Sequence, residues 1–344
     1  MMKMKISRFL PALLIFSSII TASGQSGYGY FNQENLSLSD SALSELNRLT
    51  IYVIPSKVKY DWSSPHSLYK TYKKNMWRNL FGKTNYLLGH AFVDLQPAIE
   101  GTRIFTGMRS ASKNEKKDLV LKQHYGLAIL GCDLAGRLES EEELKIKLEK
   151  FAKKGQLAYM AFLISDAATE RLTEFFLSYK ARIDSCPSGA RYGGAFYPRY
   201  KEEGAGCSAF VISFLDLAGL MKEEFDEWLI KIDIPMSLIG GPYNNYNEVN
   251  LKDIRKERSW AIVNTADPVD YEHLEMYDPT LMYEWINSTF ENNGRHGELT
   301  GTPVQLEKAN GLRFDSRSQP LPEIESIFIH REKPSLFIDY LRQN

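Results

Sequence analysis

Cys207 stands in "KEEGAGCSAFVISFLDLAGL" (201–220), between a glycine-rich approach and an almost wholly apolar run. A helix beginning at this cysteine would place the thiol among the free N–H groups of its first turn, where the partial positive charge favours a thiolate. The same N–H groups could hold the oxyanion formed when a thiolate attacks a carbonyl. Gly204 and Gly206 leave room for a close backbone or acyl chain. Cysteine is also a common core residue. On this stretch alone the reactive and structural readings are even.

A nucleophilic thiol needs a base, and His90 is the best placed of the six histidines. In "LLGHAFVDL" (87–95) alternation along a strand puts Leu88, His90, Phe92 and Asp94 on one face. Imidazole titrates near neutrality and suits proton transfer. His66, His273, His296 and His330 fall at helix starts or in polar segments, and His124, opening a later strand, is the runner-up. The base in turn needs an orienting partner. Asp94 shares the face but lies about 13 Å along an extended strand. On the next strand, "TRIFTGM" (102–108), Thr106 is the best available group, although a hydroxyl orients an imidazole more weakly than a carboxylate does.

The elements that must carry these residues follow from pattern. Strands are expected at 48–54, 84–96, 101–108, 124–130, 157–165, 259–264 and 324–330. Helices are expected at 63–82, 140–155, 168–183, from Cys207 onward, at 278–292 and at 335–343. The second of these carries a capping box of Ser140 and Glu143. The helix after Cys207 is apolar nearly all round, as a buried helix must be. Before it runs "DSCPSGARYGGAFYPRYKEEGAG" (184–206), a long loop rich in glycine and aromatics, of the kind that is usually functional. Lys70, Lys73, Lys74 and Arg78 on the first helix read as a solvated face, with a membrane- or glycan-facing surface as the alternative.

Composition bounds the remaining possibilities. The 344 residues have a net charge of −1, which gives no case for a nucleic-acid binder. There is no phosphate loop, no GxGxxG, no Cys-x-x-Cys and no His-x-x-x-His, so no metal and no cofactor are expected. A basic start, the apolar "FLPALLIFSSIIT" (9–21) and small residues at Ala22 and Gly24 read as an export signal. Export to the periplasm or the extracellular space is expected, with no transmembrane segment in the mature chain. An odd count of three cysteines then favours one disulfide, Cys132–Cys186, with Cys207 left free.

The order of a histidine strand ("GHAFVDL"), a hairpin and, much later, a cysteine opening a buried helix ("GAGCSAFVISFLDLAGL") resembles the circularly permuted NlpC/P60 branch of the papain-like fold. That branch includes the lecithin-retinol acyltransferase-like proteins. The resemblance covers roughly residues 85–220. It implies an α+β fold in which an antiparallel sheet packs on the cysteine-bearing helix, with a C-terminal α/β elaboration. The expected organisation is a signal peptide (1–24), a lead (25–47), a permuted papain-like domain (48–232) and an extension (233–344) packed on the same domain. It implies a cysteine hydrolase or acyltransferase with Cys207 as nucleophile, His90 as base and Thr106 in third place. Tyr192, Tyr197, Gly206 and Ser208 are expected on the substrate side, and the implied substrates are cell-wall peptides or lipid acyl groups. Two alternatives stay open: a catalytically inactive module binding peptide or glycan through the aromatic loop 192–200, and a secreted structural protein with an inert Cys207.

Overall fold

A computed structural model describes residues 46–80, 88–98, 101–112, 114–185, 190–261 and 270–343. The chain runs β1 (Arg48–Ile54), α1 (Pro65–Leu80), β2 (His90–Gln96), β3 (Ile104–Thr106), β4 (Met108–Ser110), α2 (Glu115–Leu121), β5 (Leu134–Leu138) and α3 (Glu141–Ala152). It continues through β6 (Ala158–Leu163), α4 (Asp166–Ser185), β7 (Arg191–Tyr192), α5 (Cys207–Leu217), β8 (Leu229–Pro235), α6 (Leu251–Lys256) and β9 (Tyr271–Tyr277). It closes with α7 (Pro279–Glu291), β10 (Arg295–His296), β11 (Leu299–Thr300), β12 (Thr302–Leu306), β13 (Ala309–Asp315) and α8 (Leu336–Gln343).

The fold is mixed α+β, built around a sheet of order β12-β13-β6-β1-β2-β3. Alternation along the strands gives this sheet two apolar faces. Leu49, Ile51 and Val53 of β1 and Ala91, Val93 and Leu95 of β2 pack with Phe210, Val211 and Phe214 of α5, and with Leu172 and Phe175 of α4. Tyr52 and Phe92 point the other way, against Leu144, Leu148 and Phe151 of α3. Each large apolar side chain enclosed in this way contributes roughly 1.5–3 kcal/mol. A separate core gathers Cys132, Leu134, Ile232, Ile234, Leu274 and Phe337. A smaller sheet, β4-β5-β7, branches off where the chain leaves β3.

Several expectations need correction. The main sheet is not wholly antiparallel, since β13 runs parallel to β6. The final third of the chain therefore supplies two strands of the main sheet, β12 and β13. The expected strand at 124–130 is a 3-10 turn over Leu127–Leu130, because Gly126, at φ 57, breaks the extended run before it begins. The strand of this region is β5, a few residues later. Residues 324–330 form no strand; their backbone pairing is limited to a Tyr200–Ile329 bridge, while Ile324, Ile327 and Phe328 pack against the main core. The described part of 259–264 is also irregular. Cys132 is a free, buried thiol, so the expected bridge to Cys186 does not hold it. Cys186 itself, the expected signal peptide and most of the lead lie outside the described residues. Among the described residues no helix is long and apolar enough to cross a membrane.

Candidate active site

Cys207 is the first residue of α5, and Gly206 precedes it in an extended conformation (φ −73°, ψ 162°). Its helix crosses one face of the main sheet, so its first turn reaches the end of β2. There His90 opens the strand, opposite Ile54, the last residue of β1. Gly89 feeds the strand at φ +80, a conformation that other residues rarely adopt, and a Cβ there would lie 2.8 Å from the Ile54 carbonyl oxygen. The imidazole and the thiol hydrogen bond to one another. The pair is enclosed, with Cys207 8% and His90 1% exposed.

The orienting carboxylate comes from Glu139, a residue the sequence reading did not single out. His90 Nε2 lies 2.5 Å from Glu139 Oε2, which leaves Nδ1 as the nitrogen that faces the thiol. Glu139 directly follows β5 and precedes Ser140, the N-cap of α3. Its backbone N–H donates to the Gly107 carbonyl at 2.8 Å. The Thr106 hydroxyl donates to the Glu139 carbonyl at 3.0 Å. Thr106 therefore secures the backbone of the orienting residue, while the carboxylate on His90 is Glu139's. A Cβ on Gly107 would lie 3.1 Å from Glu139 Oε2, so glycine leaves the carboxylate its place. Asp94 is engaged elsewhere, by a two-pronged bond from Arg103 at 2.7 and 2.6 Å.

The electrostatics favour an ion pair. Burial opposes charge on all three groups, and their mutual contacts outweigh it. Burial would lower the His90 pKa, but the Glu139 carboxylate and the Cys207 sulfur raise it to about 9. Burial would raise the Cys207 pKa, but the hydrogen bond and charge of His90 lower it to about 7, helped by the Tyr192 hydroxyl and the Ala91 backbone N–H. Glu139 is held at about 2, against its burial, by His90 and Lys147. The Lys147 ammonium pairs with Glu139 Oε1, and Arg109 stands 3.7 Å from the same oxygen. Cys132 is the contrast: burial pushes its thiol well above the ordinary range.

The residues expected on the substrate side are distributed unevenly. Tyr192, in β7, turns its hydroxyl to Cys207 Sγ. Ser208 Oγ lies 3.9 Å from the same sulfur. Gly206 faces the chain itself, since a Cβ there would lie 3.0 Å from the Gly193 carbonyl oxygen. Tyr197 does not face the thiol, because its hydroxyl donates to Asp216 at 3.1 Å. The rest of the aromatic loop is also engaged internally. Phe196 is buried, and Arg331 lies 4.1 Å over the Tyr200 ring. His124 joins neither the thiol nor its partners; its carbonyl accepts from Val249 N–H at 2.8 Å.

Glu139 escaped the sequence reading for a specific reason. In "RLESEEEL" (137–144) it is one of several acidic residues before a capped helix, and only its place at the end of β5 distinguishes it. Reading 124–130 as the strand hid that place. Among the described residues no group of three or more His, Cys, Asp or Glu side chains is arranged to hold a metal ion. No protein-family model, curated protein or solved structure matches the chain.

Proposed function

We propose that the chain is an exported cysteine hydrolase or acyltransferase acting on an amide or ester carbonyl. The observation that carries this reading is the enclosed series Cys207, His90, Glu139, with the cysteine at a helix N-terminus. The thiolate would add to the carbonyl carbon. The oxyanion would be met by free N–H groups of the first turn of α5 and by the Tyr192 hydroxyl. His90 would pass its proton to the departing amine or alcohol, leaving a thioester on Cys207. Neutral His90 would then take a proton from water or an acceptor hydroxyl as it attacks the thioester, and the thiolate would leave. Glu139 would stay ionised throughout and stabilise the imidazolium.

The resemblance to permuted NlpC/P60 proteins supports a papain-like arrangement and acyl substrates such as cell-wall peptides or lipids. The rival reading, a binding module, depends on free aromatics in the 192–200 loop, and those side chains are engaged within the chain. An activated ester such as p-nitrophenyl acetate tests the function. Mass spectrometry should find an acetyl group on Cys207, absent in Cys207→Ser and formed slowly in His90→Gln. Acylation confined to other residues would contradict the reading.

A further inference from the structure

Three cations approach the Cys207–His90–Glu139 group, and one of them differs from the others. Lys147 and Arg109 both face Glu139, and Arg109 also faces Glu143 at 3.7 Å. Lys116, on α2, has no ion pair or hydrogen bond among the described residues. Its ammonium lies 5.0 Å over the centroid of the Tyr192 ring, and the hydroxyl of that ring donates to the reactive sulfur. The neighbouring Glu115 attracts it only at a distance: among the described residues no salt bridge joins the two, and both Glu115 oxygens turn to the Ala135 N–H at 3.2 Å. Burial lowers the Lys116 pKa, while the Cys207 thiolate acts to raise it. A half-buried ammonium without a carboxylate in contact is unfavourable, and a cation–π contact offsets only part of the lost solvation.

We propose that Lys116 is an anion subsite beside Cys207, and that the acyl substrate carries a carboxylate on the arm that passes over Tyr192. One ammonium without a guanidinium fork or a second free cation suits a singly charged group. A neutral analogue would leave the lysine unpaired, so the subsite discriminates by charge as well as by shape. The proposal rests on Cys207 being the nucleophile.

Iodoacetate and iodoacetamide test both levels, since they alkylate a thiolate alike but only the first carries a carboxylate. At about pH 7.5 the ratio of their rates at Cys207 should fall about tenfold in Lys116→Gln. Lys116→Arg should keep the ratio within about twofold of the unmodified protein, because the charge is retained. The iodoacetamide rate itself should change by less than about threefold, since His90 still supports the thiolate. In the unmodified protein free succinate should protect Cys207 from iodoacetamide and succinamide should not, a readout that needs no variant. An equal fall for both reagents in Lys116→Gln would make Lys116 a simple counter-ion of the thiolate and overturn the subsite. So would equal protection by succinate and succinamide. Iodoacetamide labelling of the unmodified protein no faster than a model thiol would instead overturn the nucleophile reading, and the subsite with it.

Discussion

Glu139 has more influence on Cys207 than any residue that touches the thiol only by packing. It holds the imidazole by Nε2, and its charge keeps His90 protonated next to the sulfur. Replacing it with glutamine keeps the shape and removes the charge. Glu139→Gln should lower the rate of Cys207 acylation by about 100-fold, in the range expected for a lost acid–base contribution. Thr106→Val removes only a hydroxyl bond to the Glu139 backbone. It should cost about 1 kcal/mol of stability, read as a shift in the denaturation midpoint, and leave the acylation rate within about fivefold. Equal damage from the two variants would reverse the assignment and return Thr106 to the place the sequence reading gave it. Cys207 and His90 were legible because both residue types are chemically distinctive and each stands in an apolar run. A glutamate in an acidic run carries no such mark, and neither does Lys116 in "NEKKDLVLK" (114–122).

At the scale of elements, the thiol is placed by contacts between backbones. Ala205 N–H donates to the Arg191 carbonyl at 3.0 Å, which ties the approach to α5 to β7 and therefore to Tyr192. A Cβ on Gly204 would lie 1.8 Å from that carbonyl oxygen, whereas one on Gly206 would lie 3.0 Å from the Gly193 oxygen. Both glycines were read as room for substrate, and the structure fills that room with the chain's own strand. Gly204→Ala should destabilise the fold by roughly 3 kcal/mol, since backbone must move to admit the methyl group, and Gly206→Ala by about 1 kcal/mol or less. Chemical denaturation of the two variants decides this; a mild effect at 204 would show that β7 and the α5 lead can part freely. Helices α1, α3, α4, α5, α7 and α8 were legible from caps and apolar periodicity. Strands β8, β9, β12 and β13 were not: β9, "YEHLEMY" (271–277), is mostly polar, and β8, "LIKIDIP" (229–235), and β13, "ANGLRFD" (309–315), alternate openly but are short runs interrupted by charges.

At the scale of the molecule, the site stands where two layers meet at one end of the central sheet. Helix α5 brings the cysteine from one face, and the β5–α3 junction brings the glutamate toward the other, where Phe92 packs on α3. His90, at the end of β2, joins them. The α+β class was legible in the alternation of strand and helix patterns, whereas the parallel pairing of β13 with β6 joins residues about 150 apart and leaves no local trace. This arrangement should hold a thiolate–imidazolium pair near neutral pH. The direct test is a titration of Cys207 by thiolate absorbance, taken as the difference between the unmodified protein and Cys207→Ser. His90 lowers the Cys207 pKa, so the thiolate should appear as pH rises through about 7, paired with imidazolium until His90 loses its proton near 9, and remain a thiolate above that. In His90→Gln the cation is gone and burial, the largest influence on the thiol, outweighs the Tyr192 and Ala91 hydrogen bonds that remain, so the thiolate should appear only above the ordinary cysteine range. A Cys207 that titrates at or above that range in the unmodified protein, or at the same pH with and without His90, would contradict the account.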